Sequence, residues 1–234
     1  MKKHFRIIPV FIILLALCLL SAGCEKSGYK KAMKLIDEGS YAAARELLIQ
    51  MGDYEDSAER VKELSYRIVA EAVRSAGEEY EGKYRVQKQI VSSTGADAVV
   101  SIYAVNDSSI ALNYDYENTI TGFYAKVSCT TAFAFDSDSM PVEYSRTMAL
   151  KLFGKANTTT ATGRGAMKKS EFTRSSKVHF DTFNSTETIG DTSQTNVEDV
   201  TADALNDMLP VLSDFLKEKA IDITLKDLGF DLYE

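Results

Sequence analysis

"IALNYDYENTITGFYAKVSCTTAFAF", residues 110–135, decides the fold. From Ile110 to Glu117 the large apolar residues (Ile110, Leu112, Tyr114, Tyr116) alternate with small or polar ones (Ala111, Asn113, Asp115, Glu117). A strand points successive side chains to opposite faces, so a period of two means one dry and one wet face of an antiparallel sheet. The pattern returns at Phe123. Every second residue from there to Phe135, Cys129 included, falls on the dry face, with Lys126, Ser128 and Thr130 opposite.

Working outward, Val142, Tyr144, Met148, Leu150 and Leu152 continue the alternation, and weaker strands fit 84–91, 98–105, the threonine-rich 157–162, and 177–183. Turns are expected at 93–95, 106–108, 118–119, 136–139 and at Gly163-Arg164-Gly165. Such short connections predict a meander, because parallel neighbours require long crossovers. After a polar loop at 190–196, Ala204, Leu205, Met208, Leu209, Leu212 and Phe215 mark one face of a helix running to about Lys219. Pro210 inside it is expected to kink it or to begin a second segment. This helix is the expected cover for the dry face, and the tail 221–233 is expected to add an edge strand. The β domain is placed at 80–234.

Upstream the period is helical over 29–76. Ala32, Leu35 and Ile36 share a face, Gly39 ends the run and Ser40 is placed to cap a second helix carrying Ala44, Leu47, Leu48 and Met51. Gly52 stops that helix, and a third is expected to start at Asp56, with Glu59 completing a capping box and Glu63 and Arg67 paired at i,i+4. Two stretches echo each other: Gly39-x-Tyr41-x-x-Ala44 and Gly52-x-Tyr54-x-x-Ser57. In each, glycine frees the turn, tyrosine plugs the gap beside it, and the small residue lets the next helix approach. The first copy resembles a tetratricopeptide-type repeat, and "GDYEDS" (52–57) is similar to turns in helical modules of Gram-positive envelope proteins. The copies lie 13 residues apart where that repeat uses about 34, so the segment is read as a repeat-like hairpin plus one helix. Either it docks a partner or it is a packed spacer. The expected class is therefore α+β: a helical module at 29–76, then an antiparallel meander under a C-terminal helix.

The chain opens with Lys2, Lys3 and Arg6, then an apolar run over residues 7–20 that is short for a membrane span of about 20 residues and suits an export signal. Ser21-Ala22-Gly23 and then Cys24 resemble the lipobox of bacterial lipoproteins, with Ser21 where that family carries an aliphatic residue. The resemblance implies cleavage after Gly23, a signal at 1–23, lipid on the Cys24 sulfur, and a tether at 24–28. A plain signal peptide or an anchor helix are the alternatives, and Cys18, preceded by the bulkier Leu17, is the other candidate cysteine. Two or more acyl chains hold a protein stably at a bilayer, because each buried methylene contributes about 0.8 kcal/mol.

The 234 residues carry a net charge of −7, and loss of the three basic signal residues makes the remainder more acidic, which gives it no electrostatic reason to seek nucleic acid. With Cys18 and Cys24 accounted for, Cys129 is alone and no internal disulfide is expected. Catalytic chemistry would have to be built on His179, which alternates with Val178 and Phe180 and so falls on the wetter face, away from Cys129. Asp136-x-Asp138 begins like a calcium loop, but Met140-Pro141 follows where such loops carry glycine. Gly163-Arg164-Gly165 is too short for a phosphate cradle, and the acceptor patterns at Asn157 and Asn184 have no meaning for glycosylation in a bacterial protein. No catalytic residue, cofactor or metal ligand is expected. The expectation is an extracytoplasmic, membrane-anchored, non-enzymatic binding module with an envelope protein as partner. The alternative is a carrier holding a lipid or other apolar molecule between sheet and helix, and an enzyme without a linear motif ranks third.

Overall fold

The computed structural model describes residues 25–152, 155–186 and 192–233, and there the chain is α+β: helices first, then an eight-stranded antiparallel sheet and a long helix. The signal, Cys18, Gly23, Cys24 and part of the 190–196 loop lie outside the described residues. Two compact units divide between Leu64 and Ser65, earlier than the 76–80 boundary expected from the change of period.

In the first unit, α1 (residues 25–37) and α2 (Tyr41–Met51) lead into the start of α3 (Ser57–Ala76), whose residues from Ser65 on belong to the second unit. Glu25 to Gly28, expected as a tether, are helical. Ala32, Ala44, Leu48 and Leu64 form the unit's own buried cluster, flanked by Tyr29, Leu35, Tyr41 and Met51. Ser40 does occupy the N-cap of α2, but its side chain makes no capping bond. The third helix begins at Ser57, one residue later than expected. Asp56 instead accepts a hydrogen bond from the Tyr29 hydroxyl and pairs with Arg60 at 2.9 Å.

In the second unit the strands pair in sequence order: β1 (Glu78–Tyr80), β2 (Lys83–Val91), β3 (Asp97–Ala104), β4 (Ser109–Ile120), β5 (Phe123–Ala134), β6 (Ser139–Leu152), β7 (Lys155–Lys168) and β8 (Thr182–Ser185). The alternation read over 110–135 is the burial pattern observed. Ile110, Leu112 and Tyr114 are buried on β4, and Ala125, Val127, Cys129, Thr131 and Phe133 on β5. The turn placed at 118–119 falls instead after Ile120, where Gly122 sits at φ +83°, so β4 and β5 form a hairpin pairing Ile120 with Phe123 and Asn113 with Thr130.

Helix α4 (Gln194–Glu218) covers the dry face with Leu205, Met208, Leu209, Leu212 and Phe215, all buried, and runs through Pro210 as one element. It is tied to the sheet at two further places: Lys88 of β2 reaches Glu218 at 3.0 Å, and Asp207 accepts from the backbone N–H of Ser93 at 3.1 Å. The same core takes in Tyr66, Val69, Ala70 and Val73 of α3. Its far end is aromatic: Phe133 meets Phe230 edge-on at 5.1 Å, and Phe172 stacks on Tyr233 at 5.7 Å. Tyr66 donates to the Leu228 carbonyl at 2.7 Å and accepts from Lys169 Nζ at 2.8 Å, which satisfies a buried ammonium.

Three expectations are corrected here. The tail 221–233 forms no strand; its described residues hold a short 3₁₀ turn, Lys226–Leu228, and bury Ile223, Leu228 and Phe230 side-on in the core. The strand expected over 177–183 shrinks to Thr182–Ser185. Gly163-Arg164-Gly165 is not a turn but the interior of β7, with Gly163 opposite Tyr144 and Gly165 opposite Val142. The preceding residues 176–181 cross the dry side of β7 as a strap, burying Val178 and Phe180. Any Cβ at Gly163 would lie 2.5 Å from the Phe180 ring, and one at Gly165 would lie 2.1 Å from the His179 carbonyl oxygen. Glycine in these strand positions marks the close approach of another backbone.

Candidate functional site

With the dry face covered, open polar chemistry gathers on the wet face. Antiparallel pairing lines side chains up in rows across the strands, about 4.8 Å apart. One row runs Asn113, Thr130, Glu143, Arg164 and Thr182; the next runs Asp115, Ser128, Ser145, Thr162 and Asn184. Over β5 to β8 these rows bound a trough of about 440 Å³, and a second hollow of about 310 Å³, which also has Thr130 in its wall, is lined by Tyr80, Glu81, Lys83, Tyr103, Ala111 and Asn113.

Local bonding orients this surface. Asn113 Oδ1 accepts from Thr130 Oγ1 at 2.7 Å and from Ser128 Oγ at 3.1 Å, while its amide nitrogen donates to Asp115. Glu143 and Arg164, both largely exposed, face each other across β6 and β7 at 3.3 Å. An exposed pair of this kind contributes little stability, so these charges remain available to a ligand.

The residues singled out in the sequence fall elsewhere. Gly39 and Gly52 both adopt positive φ (+75° and +59°), and Ala44 and Ser57 are both fully buried, but the turns differ: Tyr41 is the first residue of α2, whereas Tyr54 precedes α3, which starts at Ser57. Ser57 donates to the Tyr54 carbonyl at 2.5 Å, and the Tyr54 ring lies 5.8 Å from that of Tyr29. Asp138, in the β5–β6 turn, accepts from the backbone N–H and the hydroxyl of Ser170 just after β7, and these bonds hold its carboxyl below the usual range. Among the described residues no group of three or more His, Cys, Asp or Glu side chains converges to hold a metal.

Cys129 and His179 sit in opposite environments. Cys129 is fully buried, and burial pushes its thiol up to about 12. The His179 side chain is 82% exposed, with Nδ1 3.5 Å from Glu198 Oε2. Glu198 was not singled out in the sequence, yet it is a buried carboxylate that clamps the strap: it accepts from the Phe180 backbone N–H at 2.7 Å and from Gln194 Nε2 at 2.8 Å. Burial pushes its carboxyl up, but the bonds from Gln194 and Phe180 and the His179 charge outweigh that and hold it below its ordinary value.

No family model, curated protein or solved structure matches the chain. What can be said of function therefore rests on the residues and their geometry.

Proposed function

We propose that this chain is a lipid-anchored protein of the bacterial envelope, held on the extracytoplasmic side of the membrane through Cys24, whose sheet domain binds another envelope component without transforming it. The observation that carries the reading is the division of the sheet: one face closed by α4, α3 and the tail, the other left as a polar, pre-oriented trough. The lipobox-like stretch ending at Cys24 supplies the anchor. Among the described residues no helix is long and apolar enough to cross a membrane. The helical unit, with its own buried cluster and its two glycine-containing turns, offers a further surface for a protein partner.

A carrier of apolar cargo would need a chamber against the dry face. That space is taken by α4 side chains such as Met208 and Leu212, both fully buried, so the wet-face reading is preferred.

The test has two arms. Intact-mass analysis of protein from native membranes should give residues 24–234 plus acyl chains, and Cys24→Ala should abolish the acyl mass. An uncleaved leader, or an unmodified thiol at Cys24, overturns the anchor. A photo-crosslinker placed at Thr162 should capture an envelope component from intact cells; turnover of an envelope substrate by the purified protein would instead overturn the non-enzymatic role.

A further inference from the structure

The trough is polar and charge-balanced: Glu143 and Arg164 face each other in it, and the hydroxyls of Ser145, Thr162 and Thr182, which both donate and accept, line the rest. Ser128 and Thr130 give their hydroxyl protons inward to Asn113 Oδ1, so what they turn to the trough is lone pairs, and the Glu143 carboxylate beside them adds two acceptor oxygens. Opposite lie donors: the Arg164 guanidinium, which engages Glu143 through Nε and carries four more N–H groups, and the Asn184 amide. An anion placed here would meet acceptor oxygens on one wall, and a cation would meet the guanidinium on the other. An apolar molecule would strip water from all of these groups and replace none of their bonds. A hydroxyl donates and accepts at once, so a ligand dense in hydroxyls satisfies both walls.

The Tyr103 end adds the second requirement. Ala111 pairs with Tyr103 on one side and Ala132 on the other, and beside these small side chains the half-buried Tyr103 lines one hollow together with Thr130. An aromatic face beside a polar trough suits the apolar C–H side of a sugar ring. From β5 to β8 the trough spans three strand spacings, about 14 Å, and the hollow beside Tyr103 lies across Thr130 from it.

We propose that the wet-face trough binds a neutral oligosaccharide, with Tyr103 as stacking platform, Thr130 and Glu143 as acceptors and Arg164 as donor. The assignment rests on the reading of the wet face as the binding surface and names its ligand class.

The experiment is calorimetric titration of the full chain, solubilised from membranes in detergent, with chitohexaose, cellohexaose and maltohexaose. Inositol hexakisphosphate serves as an anionic probe and spermine as a cationic one. At least one neutral hexasaccharide should bind, and affinity should fall about tenfold or more in Arg164→Leu and in Thr130→Val, since each removes polar partners from a desolvated contact. Far-UV circular dichroism confirms that both variants fold, and Ser175→Ala, outside the trough, should bind as the parent does. Binding of a charged probe alone, no binding by any hexasaccharide, or binding indifferent to both trough variants overturns the assignment. If the Thr162 crosslinker captures a sugar-free protein while the hexasaccharides fail, only the ligand class falls. If Cys24 proves unacylated while a hexasaccharide binds, only the envelope anchor falls.

Discussion

At Gly165 a single methyl group decides whether the strap can lie on the sheet. A Cβ there would stand 2.1 Å from a backbone oxygen, and backbone cannot swing aside as a side-chain end can. Gly165→Ala is expected to lower unfolding free energy by about 1–3 kcal/mol, the scale of overpacking, measured by chemical denaturation. Cys129 is the second informative residue. A thiol buried between the cross-strand neighbours Tyr114 and Tyr144 is inert, because the reactive form is the thiolate and burial disfavours it. Iodoacetamide should leave Cys129 unlabelled in the native protein and alkylate it only in denaturant. Because its folded value is raised above the ordinary 9.0, the stability it contributes is complete below about pH 9 and is lost as pH rises toward about 12. Cys129→Ala should flatten that part of the alkaline stability profile.

Among the elements, the strap and α4 depend on each other through Glu198. Its carboxyl is lowered in the fold, so the stabilisation is present above the ordinary value of 4.5 and lost as pH falls through the folded one. Glu198→Gln should cost about 1–3 kcal/mol at neutral pH, the scale of a lost charged hydrogen bond, and should reduce the acid dependence, both read from urea melts at pH 7 and pH 4. This contact joins residues 18 apart whose pairing no local period announces. Strands β4 and β5 were legible because one face of each is dry over many residues. β7 was legible only over 157–162: its dry positions at 163 and 165 are glycines, since the Phe180 ring and the His179 backbone occupy the space that side chains would have filled. The tail misled for the opposite reason. Ile221-Asp222-Ile223-Thr224-Leu225 alternates like a strand, yet Ile223 serves as a plug in the core and pairs with no neighbour. The trough could not be read from the sequence because its rows depend on register. Moving the β4–β5 turn from residues 118–119 to 121–122 changes which residue stands opposite Asn113, and only the folded hairpin sets Thr130 there.

At the scale of the whole molecule, the sheet unit owes its closure to residues near its chain end. Phe230 is fully buried between Phe133 and Phe172, and the Leu228 carbonyl receives the Tyr66 hydroxyl. Removing residues 221–234 should expose that aromatic end and take from the Tyr66 hydroxyl its acceptor, the Leu228 carbonyl. The truncated protein is expected to lose its near-ultraviolet circular dichroism and bind a hydrophobic dye at neutral pH, whereas retention of a cooperative native-like melt would contradict this account of the tail. The order of the sheet has one more consequence. A linear meander that does not close on itself ends in two strands with unfilled hydrogen-bonding sides, which are templates for joining another chain. Here both are short, three residues in β1 and four in β8, and β1 is an exposed Glu-Glu-Tyr. Chains crowded together would repel one another at β1 and find little length at β8, which leaves β2 beyond Arg85 as a longer open side, guarded by the charge of Lys88.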